Sequence, residues 1–258
     1  MSEGRQRIVF VTAGGPHPWA IANALIDHFG PMPVILEQGE PKSALLRRRI
    51  RKQGYLSAIG QLGTMLLVRV QKKLFARRVD RLVRETGLQT EPRPAQQVFE
   101  VTSVNAPEFI AALDRLRPDL VFLAGCRLMT RETLAKISCP VLNYHAGITP
   151  RYRGMNGGYW ALASGDAGNF GTTVHRVDAG VDTGAILRQV RGRPENGDNI
   201  ALYAYRQAAF SRDICIQAVH DVLGGRDVAM QTPAGPSRLW YHPTIWGYFW
   251  TGLTRRVW

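Results

Sequence analysis

The sequence predicts an α/β protein: a doubly wound, mostly parallel β-sheet with helices on both faces. Three observations predict it. Short apolar runs recur along the chain, helical periodicity fills the intervals between them, and several runs end in glycine-rich turns. Hydrophobic residues make up 45% of the 258, enough for a sizeable core, and the length fits one domain or one domain with an appendage.

Taken in order, residues 7–12 (RIVFVT) form a buried strand, Ala13-Gly14-Gly15-Pro16 a turn and 19–29 a helix. A second strand covers 32–37. Two basic helical stretches follow, 42–54 and 56–86. Residues 97–102 are a strand, and Asn105 is the expected cap of a helix over 106–116. Residues 118–124 (PDLVFLA) form another buried strand, Thr130 caps a short helix, and 140–144 form the next strand. A short strand then lies in GTTVHRV, and 199–223 are helical. The expected organisation is a main domain over 1–225, with a basic helical insertion at 41–93, and an aromatic C-terminal extension over 226–258. That extension carries four of the six tryptophans plus Tyr241, Tyr248 and Phe249. It could clamp across the domain, form a homodimer contact or roof a ligand site.

Charge is concentrated. Residues 41–93 hold 14 Lys and Arg against Asp80, Glu85 and Glu91, so this fifth of the chain supplies nearly all of the net +13. Such a block expects an anionic partner: a nucleotide or phosphate, an acidic membrane surface, or nucleic acid; a merely solvated helical face is the alternative. Its longest near-apolar run, 62–70, is too short to span a bilayer but could lie on one. Cys126, Cys139 and Cys215 show no paired metal spacing, and no metal is expected. An odd cysteine count and no visible targeting segment place the chain in a reducing cytoplasm. A Gly-x-Gly-x-x-Gly fingerprint is missing after the first strand, which counts against a nicotinamide cofactor.

The chemistry lies in residues 141–187. Asn143 and His145, two apart at a strand end, share one face. Downstream, GTTVHRVDAGVDTG is a strand followed by a turn carrying Asp178 and Asp182. An amide donor, an imidazole and a carboxylate can stabilise an oxyanion and move a proton. A lone Asn-x-His on a strand is ordinarily structural. The ordered series is what singles this one out: Asn-x-His, Pro150, Gly154, then Gly171-x-Thr173-x-His175, then Asp178-x-Gly180-x-Asp182-x-Gly184.

That series resembles the catalytic domain of the formyltetrahydrofolate-dependent formyltransferases, which include phosphoribosylglycinamide, methionyl-tRNA, amino-sugar and hydroxyornithine formyltransferases. The resemblance covers roughly residues 95–190, is weaker over 7–37, and is absent over 41–93 and the C-terminal tail. It implies a Rossmann-like fold, 10-formyltetrahydrofolate as formyl donor, and residues 1–225 as the catalytic domain. It implies that Asn143 donates to the oxyanion, His145 stabilises the same charge and shuttles protons, and Asp182 orients His145. The pterin would lie between Gly125-Cys126-Arg127-Leu128-Met129 and the loop Val177-Asp178-Ala179-Gly180, held largely by backbone groups. Gly14, Gly15 and Arg153 are the expected acceptor contacts. Asp178 could equally serve an Asx turn beside Gly180. Arg127 could be a surface residue, and His175 is expected either to be packed or to support the catalytic side chains rather than to be catalytic itself.

The acceptor is read from the remainder. No β-barrel pattern of the kind carried by tRNA-directed relatives follows residue 187, so no specific nucleic acid is expected. A basic block suits an anionic small-molecule amine, best an amino-sugar nucleotide. A formyltetrahydrofolate hydrolase, a hydroxyornithine-type acceptor, and a non-enzymatic basic protein bound to membrane or nucleic acid are the alternatives. Peripheral membrane contact through 41–93 and homodimer formation stay open.

Overall fold

The computed structural model describes residues 6–226 and 235–258. Residues 227–234, near the start of the expected C-terminal extension, lie outside the described residues. The chain runs β1 (Ile8–Thr12), α1 (Pro16–Phe29), β2 (Val34–Glu37), then three helices: α2 (Lys42–Gln53), α3 (Tyr55–Leu74) and α4 (Ala76–Thr86). Next come β3 (Val98–Val101), α5 (Pro107–Leu116), β4 (Leu120–Ala124), α6 (Arg131–Leu134) and β5 (Val141–His145). After them stand β6 (Arg153–Gly154), α7 (Gly157–Ala163), β7 (Gly171–Arg176), β8 (Ile186–Arg191), α8 (Ile200–Leu223), β9 (Leu239–Trp240) and α9 (Ile245–Arg255).

Seven strands make one sheet in the order β3-β2-β1-β4-β5-β7-β8. The first five are parallel; β7 runs antiparallel to β5, and β8 antiparallel to β7. The parallel strands read as unbroken apolar runs because both faces are covered. Along β1 the side chains alternate: Ile8 and Phe10 join the core under α1, α4 and α8, while Val9 and Val11 join the core under α5 and α6. Phe10 stacks on Phe122 at 5.9 Å between ring centres, and both are fully buried. Burying each such side chain contributes about 1.5–3 kcal/mol.

Strand order reverses direction between β1 and β4, the place where doubly wound sheets open a ligand crevice beyond their carboxyl ends. Gly14, Gly15 and Gly125 leave those ends with φ of 82°, 102° and 67°, values that favour glycine. The two loops touch: the Ala13 N–H donates to the Gly125 carbonyl at 3.2 Å.

Several expectations change. The helix expected over 56–86 breaks at Phe75, whose ring packs on the main core and so ends α3 there. Asn105 does not cap α5. Its side chain accepts from the Thr130 N–H and donates to the Leu128 carbonyl, pinning the 125–130 loop instead. A strand at 186–191 was not foreseen, because its Arg and Gln obscure the apolar pattern; as β8 it is an edge strand paired only with β7. The aromatic tail clamps across its own domain. β9 adds to β6 in a small parallel pair, Trp240 stacks on Trp160 at 4.4 Å, α9 packs on α3, and Tyr248 is fully buried.

Candidate active site

Four polar side chains converge where β5 and β7 lie side by side. The antiparallel register sets Asn143 opposite His175 and His145 opposite Thr173. Asp182 reaches them from the following loop in a left-handed conformation, φ 50°, unusual for a residue other than glycine. Its carboxylate is the hub. Oδ2 accepts from the Gly154 N–H at 2.8 Å and faces His145 Nδ1 at 3.4 Å; Oδ1 accepts from Asn143 Nδ2 at 3.3 Å and faces His175 Nε2 at 3.3 Å. Burial would push this carboxyl up. The charge of His145, the hydrogen bond and charge of His175 and the Gly154 N–H outweigh it, holding the group well below the usual carboxylate range.

His145 is buried, and both its ring nitrogens are engaged. Nε2 is 2.7 Å from the Tyr152 carbonyl, which can only accept, so Nε2 carries the proton and donates. Nδ1 is left facing Asp182. His175 is held likewise: Nδ1–H donates to the Arg176 carbonyl at 2.6 Å, and Nε2 lies 3.1 Å from Asn143 Nδ2. His175 therefore positions both Asn143 and Asp182, a supporting role.

The loop over His145 closes because two glycines let backbone meet backbone. A Cβ on Gly147 would sit 2.5 Å from His145 Nε2 and from the Tyr152 carbonyl; one on Gly157 would sit 2.5 Å from the Gly147 Cα. Thr173 fixes the same loop, donating to the Gly147 carbonyl at 2.8 Å and accepting from the Thr149 N–H at 3.1 Å. Gly147, Gly157 and the Tyr152 carbonyl escape sequence reasoning, since a main-chain acceptor leaves no residue-type signal.

A formyl transferase family model matches residues 64–219, well over half of the chain. The chain belongs to the formyl transferase family. Methionyl-tRNA formyltransferase from Kosmotoga olearia is 28% identical over 175 residues, covering 67% of this chain and 53% of that protein. The enzyme of that name from Anaeromyxobacter dehalogenans is 30% identical over 143 residues, 55% of this chain and 46% of its own. The chain spans about half the length of the curated relatives it matches. Among solved structures, glycinamide ribonucleotide transformylase 1 from Symbiobacterium toebii superposes with a TM-score of 0.58 at 21% identity, over 89% of this chain and 93% of that one. A sugar N-formyltransferase from Shewanella gives 0.55 at 15% identity, over 90% and 74%. These two likenesses establish the shared fold.

Most of the remaining predicted residues fall in two loops, one beyond the carboxyl end of β4 and one beyond β7. In the first, Gly125 closes against Pro18, Leu128 is exposed, and Met129 is buried in the core, so that only the main chain of Met129 is available to a ligand. Burial, with the Glu37 charge, pushes the Cys126 thiol up to about 12, which leaves it protonated and inert. Arg127 is partly exposed but fully engaged. Its N–H donates to Glu37 at 2.8 Å, its guanidinium lies 3.4 Å from the same buried carboxylate, and it also donates to the Gln38 and Thr102 carbonyls. Glu37 is a further residue that sequence reasoning missed. It fastens the 125–130 loop, and it also accepts from the Val104 N–H at 2.9 Å.

In the second loop, Val177 donates its N–H to the Val141 carbonyl, and Asp178 accepts from the Gly180 N–H at 3.0 Å and the Thr183 hydroxyl at 2.7 Å. Asp178 and Gly180, flanking Ala179, thus build the Asx turn that leads to Asp182. Arg153 donates to the Val181 carbonyl at 3.1 Å and so binds to this loop. Gly14 and Gly15 lie beyond the end of β1.

Proposed function

We propose that this chain transfers a formyl group from 10-formyltetrahydrofolate to a primary amine of a small anionic acceptor, with an amino-sugar nucleotide as the best fit. The observation that carries the reading is the convergence of Asn143, His145 and Asp182 on one strand end beside the crevice. The residues fit the folate donor, which would supply the formyl carbon. Loops 125–129 and 177–180 offer a mostly main-chain cradle, and at Gly125, φ 67°, a Cβ would meet Pro18 tightly at 3.0 Å.

Asn143 carries two amide N–H donors. Asp182 accepts from one of them at 3.3 Å, which fixes the amide and leaves the other N–H for the oxyanion formed when an amine adds to a formyl carbon. One such donor contributes about 3–4 kcal/mol to the transition state. Asp182, kept ionised, is the acceptor for the proton that the amine must shed. His145 faces it through Nδ1, and its other nitrogen is already committed to Tyr152, so proton movement through His145 runs along the Nδ1–Asp182 line. Local general acid–base help of this kind is worth roughly a hundredfold to ten-thousandfold.

Charge supports an anionic acceptor. Arg49 of α2 is half-buried and its charge bears on His242, whose Nδ1 is 2.9 Å from Asn156, two residues beyond Gly154. Lys72 of α3 bears on His17, at the start of α1 beside Gly14 and Gly15. Pro16 and Pro18 lack N–H groups, so the N-terminus of α1 is a poor anion site alone and the cations must supply the attraction. The fold shared with a sugar N-formyltransferase agrees with this reading. The test is a formylation assay with 10-formyltetrahydrofolate and a panel of amino-sugar nucleotides. Folate turnover that needs no amine would replace this reading with a hydrolase.

A further inference from the structure

Two helices leave apolar stripes facing solvent. On α3, Tyr55, Ile59, Leu66, Val70 and Leu74 are exposed. At 3.6 residues per turn they fall within an arc of about 100°. On α9, Trp246, Phe249, Trp250 and Leu253 are exposed and again share one side of the helix, with Leu74, Trp250 and Leu253 at 70% or more of full exposure. The stripes adjoin. The Trp246 ring lies on Gly60, where a Cβ would sit 2.5 Å from Cη2, and Ile245 lies on Gly63. Monomeric proteins rarely leave so many large apolar side chains contiguous in water without a partner for them.

Cations rim this face. Helix α2 packs on α3, buries none of its side chains and carries six Lys and Arg. Arg69 and Lys73 lie on α3 itself, and Arg255 and Arg256 close α9. We propose that the α3–α9 face is a docking surface for an anionic lipid bilayer. The helices lie in the interface plane, the stripes enter the headgroup–acyl boundary, and the rim meets lipid phosphates. No helix of the described residues is long and apolar enough to cross a membrane, which fits a helix pair that lies flat. Charge complementarity selects this occupant. A second copy would set one cationic rim against another, and nucleic acid would leave the leucines and tryptophans in water. The surface stands whichever amine the crevice takes.

Flotation of the full-length protein with vesicles tests it. Binding is expected to phosphatidylcholine vesicles containing 30% phosphatidylglycerol, to fall in 0.5 M salt, and to be weak on pure phosphatidylcholine. Trp250→Glu combined with Leu253→Glu should cut binding at least about tenfold while leaving the melting temperature and folate affinity near wild type. The conservative Trp250→Phe should retain it. No binding of folded protein to the anionic vesicles would overturn the proposal, as would binding indifferent to the double variant. A lipid-free dimer that the double variant dissociates would assign the face to a second copy instead.

Discussion

The strand end that carries Asn143 and the helical wall α2–α4 are built on opposite plans. At the strand end, the converging polar groups hold one another: Asp182 meets four groups, His145 is engaged at both nitrogens, and Thr173 bonds twice to one loop. In the wall, α2 buries no side chain, and α3 buries Ala58, Gly60, Gln61 and Thr64 while Tyr55, Leu56, Ile59, Leu66, Val70 and Leu74 face outward. The first arrangement fixes geometry to tenths of an ångström, as bond-making chemistry requires. The second fixes only a surface and its charge, which is enough to attract and retain a partner. Residues matter individually in one region and collectively in the other.

That contrast can be broken first at the strand end. Asn143→Ala, His145→Ala and Asp182→Ala should each lower kcat about a hundredfold or more with the fold intact by circular dichroism. Near-normal turnover in a folded His145→Ala protein would sink the catalytic assignment. In the wall, Arg47, Arg48 and Arg49 changed together to Glu should raise the acceptor KM by roughly tenfold, and added salt should erode the wild-type advantage. Folate affinity, measured by calorimetry, should hardly move. An unchanged KM would make α2 a solvated face as far as the acceptor is concerned.

A third change sharpens the comparison through packing. Gly147→Ala should destabilise the protein by about 1–3 kcal/mol and depress turnover, because the new methyl meets His145 and the Tyr152 carbonyl. Gly39→Ala, which meets nothing within 4 Å, is the control and should stay within about 0.5 kcal/mol in denaturant melts. The smallest effect concerns acid. Asp182 is depressed in the folded state, so its stabilising contribution is present above the ordinary carboxylate pKa of about 4 and is lost as pH falls below it. Asp182→Asn should therefore flatten the acid limb of a stability-versus-pH curve. An identical limb in both proteins would show that its partners do not hold the carboxylate in this way.

Much of the site was legible because its residue types are chemically specific and closely spaced. Asn143 and His145 had to share a face once residues 140–144 were read as a strand, and Asp178 beside Gly180 already described an Asx turn. Other parts were illegible for definite reasons. Glu37 looks like any strand-end carboxylate until Arg127 folds back upon it. Asn105 obeys every rule for a helix cap, yet it is used to hold a loop 23 to 28 residues away.

By itself, the sequence determined the alternation of strands and helices from β1 to β5, the break at Phe75 apart, through hydrophobic period and turn chemistry, and the concentration of cations in residues 41–93. Those signals are local: each rests on residues within a turn or two of one another. Only the tertiary structure decided that β7 would lie antiparallel beside β5, which brings His175 to Asn143, and that the tail would return to pack α9 on α3. It also decided which side of α3 would remain in water. These outcomes depend on contacts between segments tens to hundreds of residues apart, where packing and burial choose among arrangements that local sequence preferences leave equally open.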